Sequence, residues 1–376
     1  MTSKKVICVP DSFKGSMSSP KACHAMARGL VKAGIKGENI TLIPIADGGE
    51  GMLSVMLSAV GGKIQSLTAH NPCMELIPTE YGISTDGSTA FIEMASISGL
   101  PLIREEQRNP MRTTTYGTGE LIRDALEKGC THFIIGIGGS ATNDVGIGML
   151  QALGFRFLDA DGNILGQGGE ILEKVVHICT QETHSLLKNA HFIVACDVQN
   201  PFYGPFGAAH VYARQKGADD QMIMELDEGM RHFARVIQTT TGKDIAHVAG
   251  SGAAGGLGGG MMAFLDAELK SGADLLLDLC RFEDKIQDAD LIITGEGRMD
   301  RQSLMGKIPG RILQAGQFQK IPVIGIAGMV EDEKLLKEAG FQNIYATKPK
   351  DMSIVEAMKK KVAIKNIKFV IQSVMK

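Results

Sequence analysis

Acids, lysines and glycines recur together in this chain, each time where a short apolar run ends. "VICVPDSFKGS" breaks into a loop with Asp11, Ser12 and Lys14, and "ITLIPIADGGEG" into one with Asp47, Gly48, Gly49 and Glu50. "HFIVACDVQNP" ends in Asp197 and Asn200, and "DLIITGEGRMD" in Glu296, Arg298 and Asp300. Two more loops are glycine-dominated: "GIGGSATND", with Gly138, Gly139, Ser140, Thr142, Asn143 and Asp144, and "GSGAAGGLGGG", with Gly255 and Gly256. Glycines let backbone N–H groups approach an anion closely, and helix N-termini favour negative charge. Lys14 and Lys307 supply point charges for phosphate or carboxylate. Acids such as Asp47, Glu50, Asp197 and Glu296 repel anions unless a cation intervenes. Anion-binding glycines beside acids therefore suggest a nucleotide phosphate bridged by magnesium. Phosphoryl transfer needs those parts: a cradle, a metal, a base and a cation clamp. No G-x-x-x-x-G-K-[ST] occurs, so this is not the Walker type of phosphate loop.

Plainer readings stand beside these. "ADGGEG" is also a good tight turn, Asp144 a good N-cap, and Lys307 a helix-start residue. "GAAGGLGGG" could serve close approach to another helix instead of a ligand. Against the plainer reading, Ser140, Thr142, Asn143 and Asp144 exceed what a turn needs. No histidine or cysteine pair has metal-ligand spacing.

The elements that must position these loops alternate between strands and helices. After Val6–Val9 a helix is expected from about Pro20, with Ala22, Met26 and Leu30 on one face and Gly34 ending it. "ITLIPI" is a strand, and a helix burying Met52, Val55, Met56, Ala59 and Val60 stops at Gly61-Gly62. Between Lys63 and Ile103 short alternating stretches, "TEYGI" and "TAFIEM", read as antiparallel hairpins. "GELIRDALEKG" and "DDQMIMELDEGMRHFARVIQTTTG" are amphipathic helices. "DLIITGEG", "IPVIGIAG" and "NIYAT" return to buried strands alternating with helices. The two ends of the chain thus share one style, and the middle differs. This predicts a parallel α/β domain built from residues 1–63 and 286–376, with a mixed α+β domain, 64–285, inserted. Right-handed crossovers place every strand's carboxyl end on one side of such a sheet, where ligands bind. The active site is expected in a cleft between the domains, with hinges near Gly61–Lys63 and Phe282–Gln287.

Composition narrows the class. At 376 residues two domains are expected. A hydrophobic share of 44% with 22% charged residues is that of a globular protein with a large core. A net charge of −3 leaves no basic footprint, so nucleic acid is not an expected partner. Seven scattered cysteines without C-x-x-C fit a reducing cytoplasm rather than a disulfide framework. "MTSKK" runs directly into a strand, so no signal peptide is expected. No apolar run reaches membrane-spanning length, and no membrane association is expected.

The motifs "PDSFKGSMS", "ADGGEGM", "NPMRTTTYGTGELIRDAL", "IIGIGGSATNDVGIGMLQALG", "ACDVQNPFYGPFGAA", "QKGAD", "GAAGGLGGG" and "TGEGRMDRQSLMGK" follow one another in order. Together they make the chain similar to the bacterial glycerate kinases of type I, from Lys4 to about Thr347. The resemblance implies a flavodoxin-like parallel-sheet domain interrupted by the inserted domain. It also implies ATP-dependent phosphorylation of D-glycerate to 2- or 3-phosphoglycerate, with magnesium. On that reading Asp197 or Asp47 takes the hydroxyl proton and Lys14 assists catalysis. Asp11, Ser12, Lys14, Gly48, Gly49 and Arg298 hold glycerate. Gly138, Gly139, Ser140, Thr142, Asn143, Gly255, Gly256 and Lys307 hold the nucleotide phosphates, and Glu296 and Asp300 the metal. Two other classes stay open. "GIGGSA" approximates the G-x-G-x-x-A turn of an NAD-dependent oxidoreductase acting on a small hydroxy acid. A sugar-acid binding protein without catalysis would use the same two lobes.

Overall fold

The computed structural model describes residues 4–45 and 51–375, so Asp47, Gly48, Gly49 and Glu50 lie outside the described residues. In chain order the strands are β1 (Val6–Pro10), β2 (Ile40–Leu42), β3 (Lys63–His70), β4 (Leu76–Ile83), β5 (Thr89–Glu93), β6 (His132–Gly136), β7 (Arg156–Leu158), β8 (His177–Cys179), β9 (His191–Ala195), β10 (Glu268–Lys270), β11 (Leu291–Met299), β12 (Val323–Val330) and β13 (Asn343–Ala346). The chain divides into two compact units, Met1–Asp47 with Gly272–Lys376, and Gly48–Ser271.

The first unit is α/β. Its sheet runs β2-β1-β11-β12-β13, with every neighbouring pair parallel. Counted along this unit alone that is the flavodoxin-like order. All five residues of β1 are buried, as a parallel strand covered on both faces requires. On one face Val6, Cys8, Ile293 and Ile326 pack under Ala22, Met26 and Leu30 of the helix Ser19–Lys32. The final helix, Lys360–Val374, lies on the same core through Ala363, Ile367 and Ile371. Gly29 permits this approach: a Cβ there would stand 2.7 Å from the Cβ of Ile371.

The second unit is mixed. Its main sheet runs β10-β9-β6-β5-β4-β3. The β3–β4–β5 end is antiparallel, as the alternating stretches predict, and β5, β6, β9 and β10 are parallel. The long helix Asp220–Thr241 starts where Asp219 accepts the Met222 N–H at 2.8 Å and stops at Gly242, whose φ is 75°. Its apolar face, Leu226, Met230, Phe233 and Ile237, enters the core of this unit.

The units divide at 47/48 and 271/272, whereas the sequence pattern places the crossings at 63/64 and 285/286. Packing explains the difference. In the helix Met52–Val60, Leu53 and Leu57 stand over Gly82 of β4, and the Leu53 N–H donates to Glu93 of β5 at 2.6 Å. The helix Gly272–Leu279 instead stays with the first unit, where Asp274 pairs with Arg311. The short pair β7–β8 and strand β10 were not expected; each strand is three residues long, too short to show a period.

Ile371 is fully buried at the seam between the two helices of the first unit. Ile371→Ala should lower that unit's stability by about 2–5 kcal/mol, read as an earlier unfolding transition in urea, while the second unit's transition stays in place.

Candidate active site

At the carboxyl ends of β1 and β11 the first unit opens a cavity of about 430 Å³. The helix Ser19–Lys32 carries the chain from β1 to β2, and the helix Ile308–Phe318 carries it from β11 to β12 in the opposite direction along the sheet. The connections therefore part between β1 and β11, which is the switch point where such sheets bind ligands. The loop after β1 is held down at three places. The Asp11 N–H donates to the Gly295 carbonyl at 2.8 Å. Asp11, which is buried, accepts the Ser12 N–H at 2.5 Å. Phe13 and Met17 close a tight turn through paired backbone bonds of 2.9 and 3.0 Å. The exposed Lys14 sits in that turn and lines the cavity.

The same cavity is lined by Glu296, Arg298 and Asp300 from the end of β11 and by Lys307, which precedes the helix Ile308–Phe318. Ser303 donates its hydroxyl to Glu296 at 2.6 Å. Asp300 caps the single turn Arg301–Leu304 by accepting the Gln302 N–H at 2.8 Å, and the Asp300 N–H donates to the Ser303 hydroxyl at 3.1 Å. Arg298 lies 3.3 Å from Asp300 and pairs with Glu331. Two acids thus occupy its guanidinium, which makes it a poor clamp for a substrate carboxylate. Lys14 and Lys307, assigned from sequence to different ligands, line one cavity.

The second unit treats its polar motif differently. In the loop after β6, Gly138 and Gly139 are exposed, but Thr142, Asn143 and Asp144 are fully buried. Asp144 accepts the Thr115 N–H and hydroxyl, both at 2.8 Å, and the N–H groups of Gly146 and Gly148 at 3.2 Å. Burial pushes its carboxyl above the usual range, and the hydrogen bonds from Thr115 oppose that. Lys216, from "QKGAD", is 2% exposed and donates to the Ser140 hydroxyl at 2.7 Å and the Thr142 carbonyl at 2.6 Å. Burial brings its pKa down to about 7, with Asp144 pulling the other way. Gly255 (φ 69°) lies against the same loop; a Cβ there would stand 2.1 Å from the Thr142 carbonyl. The glycines at 255 and 256 are buried and serve packing against residues 142–145 and neighbouring side chains. Thr142, Asn143, Gly255 and Gly256, expected from sequence to meet the phosphates, are thus buried in this structure, with the Thr142 hydroxyl and the Asn143 side-chain oxygen left without a hydrogen-bond partner. Asp197 is exposed just beyond β9, and neighbouring Asn200 is fixed by the Tyr212 hydroxyl at 2.6 Å.

Comparison with known proteins decides the family. The profile of the glycerate kinase family matches residues 6–376. The chain belongs to the glycerate kinase family. A glycerate kinase of Halalkalibacterium halodurans is 44% identical over 94% of this chain and 93% of its own length. The glycerate 2-kinase of Escherichia coli is 45% identical over 88% of this chain and 86% of its own. A crystal structure assigned as glycerate kinase 2 from Salmonella typhimurium LT2 superposes with a TM-score of 0.87 at 39% identity, covering 100% of this chain and 98% of the other.

For this member of the glycerate kinase family, the sequence reading missed Lys216, Thr115 and Asp144 as a connected interior network. Lys216 ends the single turn Arg214–Lys216, beside Gly217 at a φ of 97° and just before the long helix Asp220–Thr241, and nothing in "QKGAD" alone marks it as buried. Among the described residues no cluster of three or more metal-binding side chains occurs, and no helix is long and apolar enough to cross a membrane.

Lys216 gives a pH test. Its pKa falls from 10.5 to about 7 on folding, so between those values the unfolded chain binds the extra proton. Its contribution to stability is therefore full above that window and is lost progressively as pH falls from 10.5 to about 7, below which nothing more is lost. Lys216→Met should flatten the gain in stability between neutral and mildly alkaline pH, measured by urea unfolding of both proteins across that range.

Proposed function

We propose that this chain is an ATP-dependent glycerate kinase of the cytoplasm, transferring the γ-phosphoryl group of ATP to a hydroxyl of D-glycerate. The family match over residues 6–376 carries the reading. The paired lysines and acid at the switch-point cavity support it. The Escherichia coli relative is a glycerate 2-kinase, which favours the 2-hydroxyl. The hydroxyl oxygen attacks the γ-phosphorus, the bond to the bridging oxygen of ADP breaks, and the hydroxyl proton passes to a carboxylate. The exposed Asp197 is the proposed acceptor among the described residues; Asp47 lies outside them. Lys14 and Lys307 are the proposed clamp on the phosphates, stabilising charge that positioning alone leaves uncompensated. The exposed amides of Gly138 and Gly139 keep their proposed role toward an anion.

Magnesium fits the donors at the cavity. Glu296 and Asp300 are both half-buried, offer hard carboxylate oxygens to it, and are few enough to leave positions for water and phosphate. Bound there, the ion would neutralise phosphate charge. Asp300 also caps its helical turn, so Glu296 is the stronger of the two proposed ligands.

The oxidoreductase alternative fails locally. A dinucleotide turn must open a helix directly, but here the helix begins only at Ile147, and the intervening residues are tied inward by Lys216 and Thr115. A binding protein without catalysis finds no support in relatives that are kinases.

The test is phosphorus NMR of a mixture of enzyme, D-glycerate, ATP and magnesium, with 2-phosphoglycerate and ADP as the expected products; unchanged ATP would refute the reading. Lys14→Ala should cut kcat/KM by roughly a hundredfold or more while leaving the thermal midpoint in place; steady-state kinetics and a melt read both. Glu296→Gln should raise the magnesium concentration needed for half-activity several-fold, and an unaltered magnesium titration would remove Glu296 from the metal site.

A further inference from the structure

The cavity of the first unit is wider and more apolar than a three-carbon acid can use. At about 430 Å³ it falls within the ~300–1,000 Å³ of sites that enclose drug-sized ligands. Its wall has two characters. Lys14, Lys307 and Glu296 are its ionic lining. Phe13, Met329, Ile354, Ala357 and Met358 are its apolar lining. Ile354 and Met358 remain 51% and 41% exposed, on the short helix Ile354–Met358. That helix is fixed: the Glu356 N–H donates to the Ser353 hydroxyl at 3.2 Å, and the preceding loop is pinned by Lys348, which donates to the carbonyls of Pro349 and Met352 at 3.2 and 3.0 Å. An anchored helix that turns branched and thioether side chains into an ionic cavity is poorly explained by glycerate, which has no apolar face. It is well explained by a flat ring with a phosphate tail. Methionine sulfur adds favourable contacts to aromatic rings.

We propose that the apolar lining of this cavity contributed by Met329, Ile354 and Met358 is the purine subsite of the nucleotide, with the phosphates directed to Lys14 and Lys307. This rests on the kinase reading and gives the donor, rather than glycerate, the cavity at the switch point. It keeps Lys14 on the donor phosphates, where the sequence pattern alone suggests the acceptor carboxylate.

Ile354 is half-exposed and can be changed without opening the core. The test uses the full-length protein, titrated by calorimetry with ADP and, separately, with tripolyphosphate, alongside the glycerate KM. Ile354→Asn should weaken ADP by about tenfold, with tripolyphosphate affinity and glycerate KM unchanged. Ile354→Val should stay within about twofold. Equal ADP affinity in a folded Ile354→Asn protein would overturn the proposal, as would a rise confined to the glycerate KM, which would make the cavity the acceptor site. The two readings fail separately. If the wild type binds ADP, the variant loses it and glycerate is never phosphorylated, the subsite stands and the kinase reading falls. If glycerate is phosphorylated and ADP affinity ignores residue 354, the subsite falls alone.

Discussion

Strands β1 and β11 pair along their whole overlap, Val6 with Leu291 through Pro10 with Gly295. The Thr294 hydroxyl reaches the Val9 carbonyl at 3.0 Å across 285 positions of chain. Closing so long a segment costs conformational entropy, though the cost grows only slowly with length. Burial of both faces of β1 and β11 offsets it. Once those strands are neighbours, the loop with Lys14 and the loop with Glu296 must face each other. The connecting helices run in opposite directions from that point, and the two loops, in contact where Gly297 meets the backbone of Phe13 and Lys14, line one cavity together. The ionic lining of Lys14 and Glu296 follows from this pairing, while the apolar lining is added by the end of β12 and by the helix Ile354–Met358.

The two units spend polar residues in opposite ways. In the first, charged side chains stand at the mouth of a cavity, where solvent or a ligand can compensate them. In the second, a lysine and an aspartate are taken fully inside. Such burial is tolerable only when each group is hydrogen-bonded. Asp144 accepts four donors, and Lys216 finds two acceptors. The depressed lysine pKa is the remaining cost. What the network achieves is a loop after β6 whose carbonyl and hydroxyl groups are held inward, leaving Gly138 and Gly139 as its exposed part.

Much of this was legible beforehand. The alternation of buried runs with amphipathic helices gave the discontinuous α/β unit, and short alternating stretches gave the antiparallel end of the other sheet. Asp11, Lys14, Glu296 and Lys307 were legible as candidates because strand ends carry ligand loops in parallel sheets. Burial was not legible. Thr142 and Asn143 read as ligand contacts because polar residues are usually exposed, and only a fold that brings Lys216 and Gly255 against them turns them inward. Lys216 itself looked like any surface lysine. Asp300 read as a metal ligand, and its added capping role depends on a single helical turn too short to show a period. The helix Met52–Val60 was placed in the wrong unit because its apolar face fits any sheet, and the hydrogen bond from Leu53 to Glu93 that decides its place joins distant positions.

The pairing of β1 with β11 sets the cavity that the proposed nucleotide would occupy. Hydrogen exchange read by mass spectrometry, with and without saturating ATP and magnesium, tests it most directly. The account requires slowed exchange in three separated segments, 11–17, 296–307 and 347–358. Nucleotide binding that leaves all three at their free rates would contradict it.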